Sequence, residues 1–144
     1  MIAEVRKYVF LMMLLAAAWQ DYRTKSISNR LLLGFGCVGS ILCVFGGGSW
    51  CEVLISCCVG VALLALSYLS GGGIGEGDGW FFVVSGIFLT WKENLLLLLS
   101  GISLCFIWSL PLAVRSVIQR GKGRNCAIPF LPFLLPAGIW LVIG

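Results

Sequence analysis

The chain has only two aspartates, Asp21 and Asp78, and each stands where a long uncharged apolar stretch meets a short polar loop. An ionised carboxylate costs about 2.5 to 3.5 kcal/mol at the centre of a lipid-embedded helix, so acids in such settings are usually there for a task. Two together suggest acid/base chemistry, in which environment keeps one carboxyl ionised and the other protonated. The chain has no histidine, which removes His-dependent triads and His metal sites and leaves carboxylates, serines or cysteines. Its seven cysteines, Cys37, Cys43, Cys51, Cys57, Cys58, Cys105 and Cys126, contain no CxxC pair and lie in or beside apolar runs. They read as small packing residues, with redox chemistry at the vicinal Cys57 and Cys58 as the alternative. No metal and no cofactor is expected.

Ahead of Asp78 runs Gly71-Gly72-Gly73-Ile74-Gly75-Glu76-Gly77-Asp78-Gly79, six glycines in nine residues. Such a segment resists helix formation. Irregular backbone in a membrane survives only where protein or water satisfies it, so the loop is expected to line a wet groove and to let a substrate backbone come close. The plainer reading is a turn between helices. A phosphate cradle is excluded, because no Lys-Ser/Thr pair follows and the acids would repel phosphate. Glu76 either tunes the pair or faces water, the commoner state of a lone loop acid.

The elements that must position these acids follow from composition. With 60% apolar and 11% charged residues among 144 and a mean hydropathy of +1.03, the chain reads as an integral membrane protein. One domain, 1–144, is expected. Its net charge of +4 is spread over short loops instead of forming a nucleic-acid-binding stripe. Uncharged stretches at 31–51, 53–75, 94–114 and 125–144 are each about long enough to cross ~30 Å of hydrocarbon. Shorter stretches at 8–20 and 79–91 must borrow flanking residues or thin the bilayer. The expectation is an all-α bundle of six transmembrane helices, near 2–20, 31–46, 52–70, 78–91, 94–114 and 128–143, with a polar groove at its cytoplasmic face.

Six spans put the loops 21–30, 71–77 and 115–127, with seven Lys/Arg, on one side, and Arg6, Lys7 and Lys92 on the other. The positive-inside rule then places those loops in the cytoplasm and both termini outside. In either orientation two full spans separate Asp21 from Asp78, so both carboxyls reach the same membrane face. The basic residues of the loops 21–30 and 115–127 read as topology determinants and lipid-headgroup partners.

Three motifs resemble the type IV prepilin peptidases, membrane aspartyl proteases of the Gly-x-Gly-Asp type. Asp21-Tyr22-Arg23-Thr24-Lys25-Ser26-Ile27-Ser28-Asn29 is similar to the family's aspartate, basic residues and Ile-Pro-Asn, with Ser28 in place of proline. Gly75-Glu76-Gly77-Asp78 matches the second, with Trp80 where the family often has lysine. Ile128-Pro129-Phe130-Leu131-Pro132-Phe133 resembles the family's Pro-Phe-x-Pro-Phe lead-in to the last helix, with Leu131 where glycine is common. The resemblance implies that Asp21 and Asp78 are the catalytic pair and that the Gly75 and Gly77 backbone faces substrate. It also implies a prepilin or pseudopilin precursor as substrate, cut on the cytoplasmic side of the inner membrane. A cytoplasmic domain with paired CxxC motifs, associated with methyl transfer in larger members, is not in this sequence, so peptidase activity alone is expected.

Three rival readings remain. Arg6-Lys7, an apolar core and Ala16-Ala17-Ala18 imitate a secretory signal, but cleavage there would leave Asp21 nearly terminal. A transporter, channel or assembly subunit would use the same acids for cations or protons. A presenilin-like protease would share the glycine-aspartate loop and cut within the bilayer. Membrane lipid is an expected partner, nucleic acid is not, and the oligomeric state is open.

Overall fold

The computed structural model describes residues 2–24, 26–47, 49–71, 75–118 and 130–143, with side chains except at 2–3 and 112–118. Among these residues the protein is all helix: α1 (Ile2–Thr24), α2 (Asn29–Phe45), α3 (Trp50–Leu69), α4 (Glu76–Phe88), α5 (Trp91–Ile118), a 3-10 turn (Leu131–Leu134) and α6 (Leu135–Ile143). Helices α3 and α5 have apolar stretches, Trp50–Leu69 and Trp91–Pro111, long enough to cross a membrane. Helix α4 has 13 residues, which spans only ~20 Å at ~1.5 Å per residue.

Close backbone approach organises the packing. A Cβ on Gly86 of α4 would stand 2.7 Å from the Cys57 amide of α3, and Gly60 of α3 meets the Val83 amide of α4 in the same way. Small residues at a helix crossing let backbones approach to contact, the means of association open to helices without a hydrophobic driving force between them. A buried polar knot sits beside this seam. Asn94, fully buried on α5, donates to the Ser56 carbonyl of α3 at 3.0 Å and the Phe82 carbonyl of α4 at 3.2 Å. The Ser85 hydroxyl donates to Asn94 Oδ1 at 2.7 Å. The core itself joins Phe10, Met13 and Leu14 of α1 to Phe81 and Phe82 of α4, Leu97 of α5, and Leu131 and Leu134 of the 3-10 turn.

Several expected boundaries are corrected. Helix α1 runs past 20 to Thr24, because the polarity of Asp21 and Arg23 ends an apolar run but not a helix; Arg23 in the last turn complements the helix dipole. Helix α4 starts at Glu76, so Glu76, Gly77, Asp78 and Gly79 form its first turn and Gly75 is its N-cap, while residues 72–74 of the glycine-rich loop lie outside the described residues. Acids at a helix N-terminus offset the low propensity of glycine there. Helix α4 ends at Phe88 instead of 91, and α5 starts at Trp91 instead of 94. The reason is a capping box at Thr90-Trp91-Lys92-Glu93: the Thr90 amide and hydroxyl both donate to Glu93 Oε2 at 2.9 Å. Helix α5 also continues past 114 to Ile118. The last helix, expected from 128, begins with the 3-10 turn at Leu131 and becomes α-helical at Leu135. Residues 128 and 129, the loop basic residues Arg120, Lys122 and Arg124, and Cys126 lie outside the described residues.

Candidate active site

Asp21 is carried by the last turn of α1, beyond its apolar run, and is 7% exposed. The chain after it turns at once: the Ser28 amide donates to Gln20 Oε1 at 3.2 Å, and the Ser28 carbonyl accepts from Leu31 and Leu32 to start α2. The partner of the carboxylate comes from the far end of the sequence. The Leu131 amide donates to Asp21 Oδ2 at 3.1 Å, across 110 residues. That amide opens the 3-10 turn and belongs to the donors a helix start cannot satisfy internally. Burial pushes the Asp21 carboxyl up from the ordinary aspartate range, while the Leu131 and Phe130 amides oppose that rise by favouring the ionised form.

Asp78 is half-buried in the first turn of α4, its amide donating to the Gly75 carbonyl at 3.1 Å. Its carboxyl folds back over Gly75, where a Cβ would lie 3.1 Å from Oδ2. At Gly77 a Cβ would lie 3.2 Å from the Ile27 side chain, so the loop after Asp21 packs directly on the turn that bears Asp78. Helices α1 and α4 are in contact. Glu76, Arg23 and Arg30 are exposed.

Two apolar grooves flank this end of the molecule. One, of about 270 Å³, lies between α2 and α4 and is lined by Asn29, Leu32, Leu33, Trp80, Val83 and Val84. The other, of about 200 Å³, lies between the C-terminal half of α1 and the start of the last helix, with Trp19, Tyr22 and Pro132 in its walls. Among the described residues no group of three or more His, Cys, Asp or Glu side chains converges as a metal site would require.

Of the four residues singled out in the sequence, the structure thus gathers Asp21, Asp78, Gly75 and Gly77 at one end of the bundle. Sequence reasoning missed the Leu131 amide. Its signal was the closely spaced Pro129 and Pro132, which lack amides of their own and interrupt regular hydrogen bonding around Leu131.

Carboxyls gathered at one end of a helical bundle are groups that can exchange protons with a bound water or carbonyl within hydrogen-bond reach. Residues 8–110 match the type IV leader peptidase family, and the chain belongs to that family. The matched stretch contains both aspartates and the glycines before Asp78. No curated protein and no solved structure gives a match.

Proposed function

We propose that the protein is a membrane aspartyl endopeptidase that removes the leader of type IV prepilin or pseudopilin precursors, with Asp21 and Asp78 as its catalytic pair. One observation carries this reading: the loop after Asp21 packs through Ile27 on the Gly77 turn that bears Asp78, so two acids distant in sequence share one end of the fold. Family membership supplies the peptidase class.

Two close carboxyls in a poor dielectric cannot both ionise and share one proton. The Leu131 amide favours the ionised form of Asp21, which makes Asp21 the general base and Asp78 the acid. Asp21 takes a proton from a bound water as the water oxygen attacks the scissile carbonyl, and Asp78 donates its proton to the carbonyl oxygen. Collapse of the resulting gem-diol breaks the C–N bond: Asp21 gives its proton to the leaving amine, and Asp78 takes one back from a diol hydroxyl as the new carboxyl group forms. The Gly75 and Gly77 backbone, beside Asp78, would face the substrate chain.

The membrane setting rests on the two long apolar stretches and on large apolar side chains exposed all along the helices, among them Leu33, Phe45, Leu54, Leu69, Ile107 and Trp140. The chain would sit in the inner membrane as a multi-pass protein with the aspartates on the cytoplasmic side. The substrate's apolar helix would approach from lipid along the α2–α4 groove, with Trp80 as a wall. Co-expression with candidate prepilins tests the reading: wild type removes the leader, while Asp21→Asn and Asp78→Asn lose about 100- to 10,000-fold of the rate. Full processing by either variant would sink the paired-acid mechanism. Ion flux through vesicles of purified protein, without any leader removal, would install the transport reading in its place.

A further inference from the structure

Arg6 is a cation far from both aspartates along α1, and nothing in the chemistry above uses it. Its side chain is half-buried, and Nη2 donates to the Phe88 carbonyl at 2.8 Å, 82 residues away. Phe88 is the last residue of α4. The final carbonyls of a helix have no donor within it, and the helix dipole makes that end negative, so a guanidinium there is favoured twice.

The position of this bond matters more than its strength. Helix α1 meets α4 with Arg6 at the C-terminal end of α4 and Asp21 near its N-terminal end, where Asp78 sits. The two helices are therefore antiparallel, tied at this end by the Arg6 bond, while Ile27, just beyond α1, packs on Gly77 at the other. Arg6 and Asp21 are roughly 22 Å apart along α1, and Asp78 and Phe88 roughly 15 Å apart along α4, at ~1.5 Å per residue. The shortfall of about 7 Å is what an arginine arm spans when α1 and α4 hold Asp21 level with Asp78. A slide of either helix along its axis would break the Arg6 bond and separate the carboxyls together.

We propose that Arg6 is a positioning residue: its bond to the end of α4 sets the axial register of α1 against α4, and with it the spacing of the catalytic pair. This rests on the peptidase reading of Asp21 and Asp78. It also gives Arg6 a task other than orienting the chain in the membrane, the role that its charge and its place in the first turns of α1 alone suggest. Its neighbour Lys7 makes an internal control, since it carries the same charge at the same end.

Leader removal by purified protein in detergent or vesicles is measured for wild type, Arg6→Gln, Arg6→Lys and Lys7→Gln, with full pH profiles. Arg6→Gln is expected to lower kcat about tenfold, leave KM within about twofold, and displace the pH profile, because carboxyl spacing controls how the pair shares its proton. Arg6→Lys retains a cationic donor and is expected to restore most of kcat and the wild-type profile. Lys7→Gln is expected to match wild type. The proposal is overturned if Arg6→Gln keeps the wild-type kcat and profile, or if Lys7→Gln and Arg6→Gln behave alike, which would mark both as topology charges. If Arg6→Gln does not accumulate, Arg6→Lys against Lys7→Gln decides by the same readouts, a wild-type profile in Arg6→Lys supporting the register role and a loss equal in both overturning it. Failure of the peptidase reading looks different, since wild type would then remove no leader at all, and failure of the paired-acid mechanism would leave Asp21→Asn or Asp78→Asn fully active.

Discussion

The Asp21 carboxylate is fixed by a backbone amide and Asp78 by its fold over a glycine, and the two anchors respond differently to substitution. Gly75 has φ −62° and ψ 122°, a conformation that alanine adopts without strain. Any effect of Gly75→Ala therefore comes from the new methyl pressing on Asp78 Oδ2. The protein is expected to accumulate normally and to lose about 10- to 100-fold in kcat, as small displacements of a reacting group do. At Gly77 the added methyl presses on Ile27 instead. Gly77→Ala should be impaired and Gly77→Ala with Ile27→Val should recover much of the loss, both read as leader removal. On the proposed mechanism the shared proton also sets the pH response. Raising pH removes it and leaves no acid, whereas lowering pH adds a second proton and leaves no base. The rate is expected to be bell-shaped against pH, with both limbs belonging to the pair. A rate that rises monotonically to high pH would exclude Asp78 as the acid.

Helices α3, α4 and α5 are tied together by Asn94, and α4 carries Asp78 at its other end. Asn94→Leu removes a donor pair and leaves the Ser85 hydroxyl without its acceptor amide. A loss of about 1 to 3 kcal/mol is expected, read as a lower midpoint in detergent unfolding. The apolar runs alone placed every one of these helices within a few residues, because burial in lipid or protein demands long uncharged segments. Their ends were not legible from hydropathy. The Thr90–Glu93 cap, the helical first turn at Glu76 and the extension of α1 to Thr24 are decided by local hydrogen bonding and helix dipoles, which a count of apolar residues does not register. The two aspartates were legible as a pair because so few charges exist in the chain. The partner of Asp21 was not, because a main-chain amide has no residue type to read and comes from a segment 110 residues away.

The exposed apolar surface and the placement of basic loops predict how the whole chain sits. Reporter fusions or cysteine labelling are expected to put residues near 25 and 75 in the cytoplasm and those near 48 and 91 outside, with the opposite pattern reversing the proposed orientation but keeping both acids on one side. The bond from Leu131 to Asp21 also bears on how the protein comes into being. Ribosomes release the N-terminal part first, so both acids are made before the segment that steadies Asp21. On the proposed mechanism a nascent chain is expected to stay idle until that segment has been added, which would spare neighbouring polypeptides from stray cleavage during its own birth. A stop codon introduced just before Leu131 should give a protein that inserts normally yet trims no precursor, and adding the missing piece as a separate peptide should awaken it.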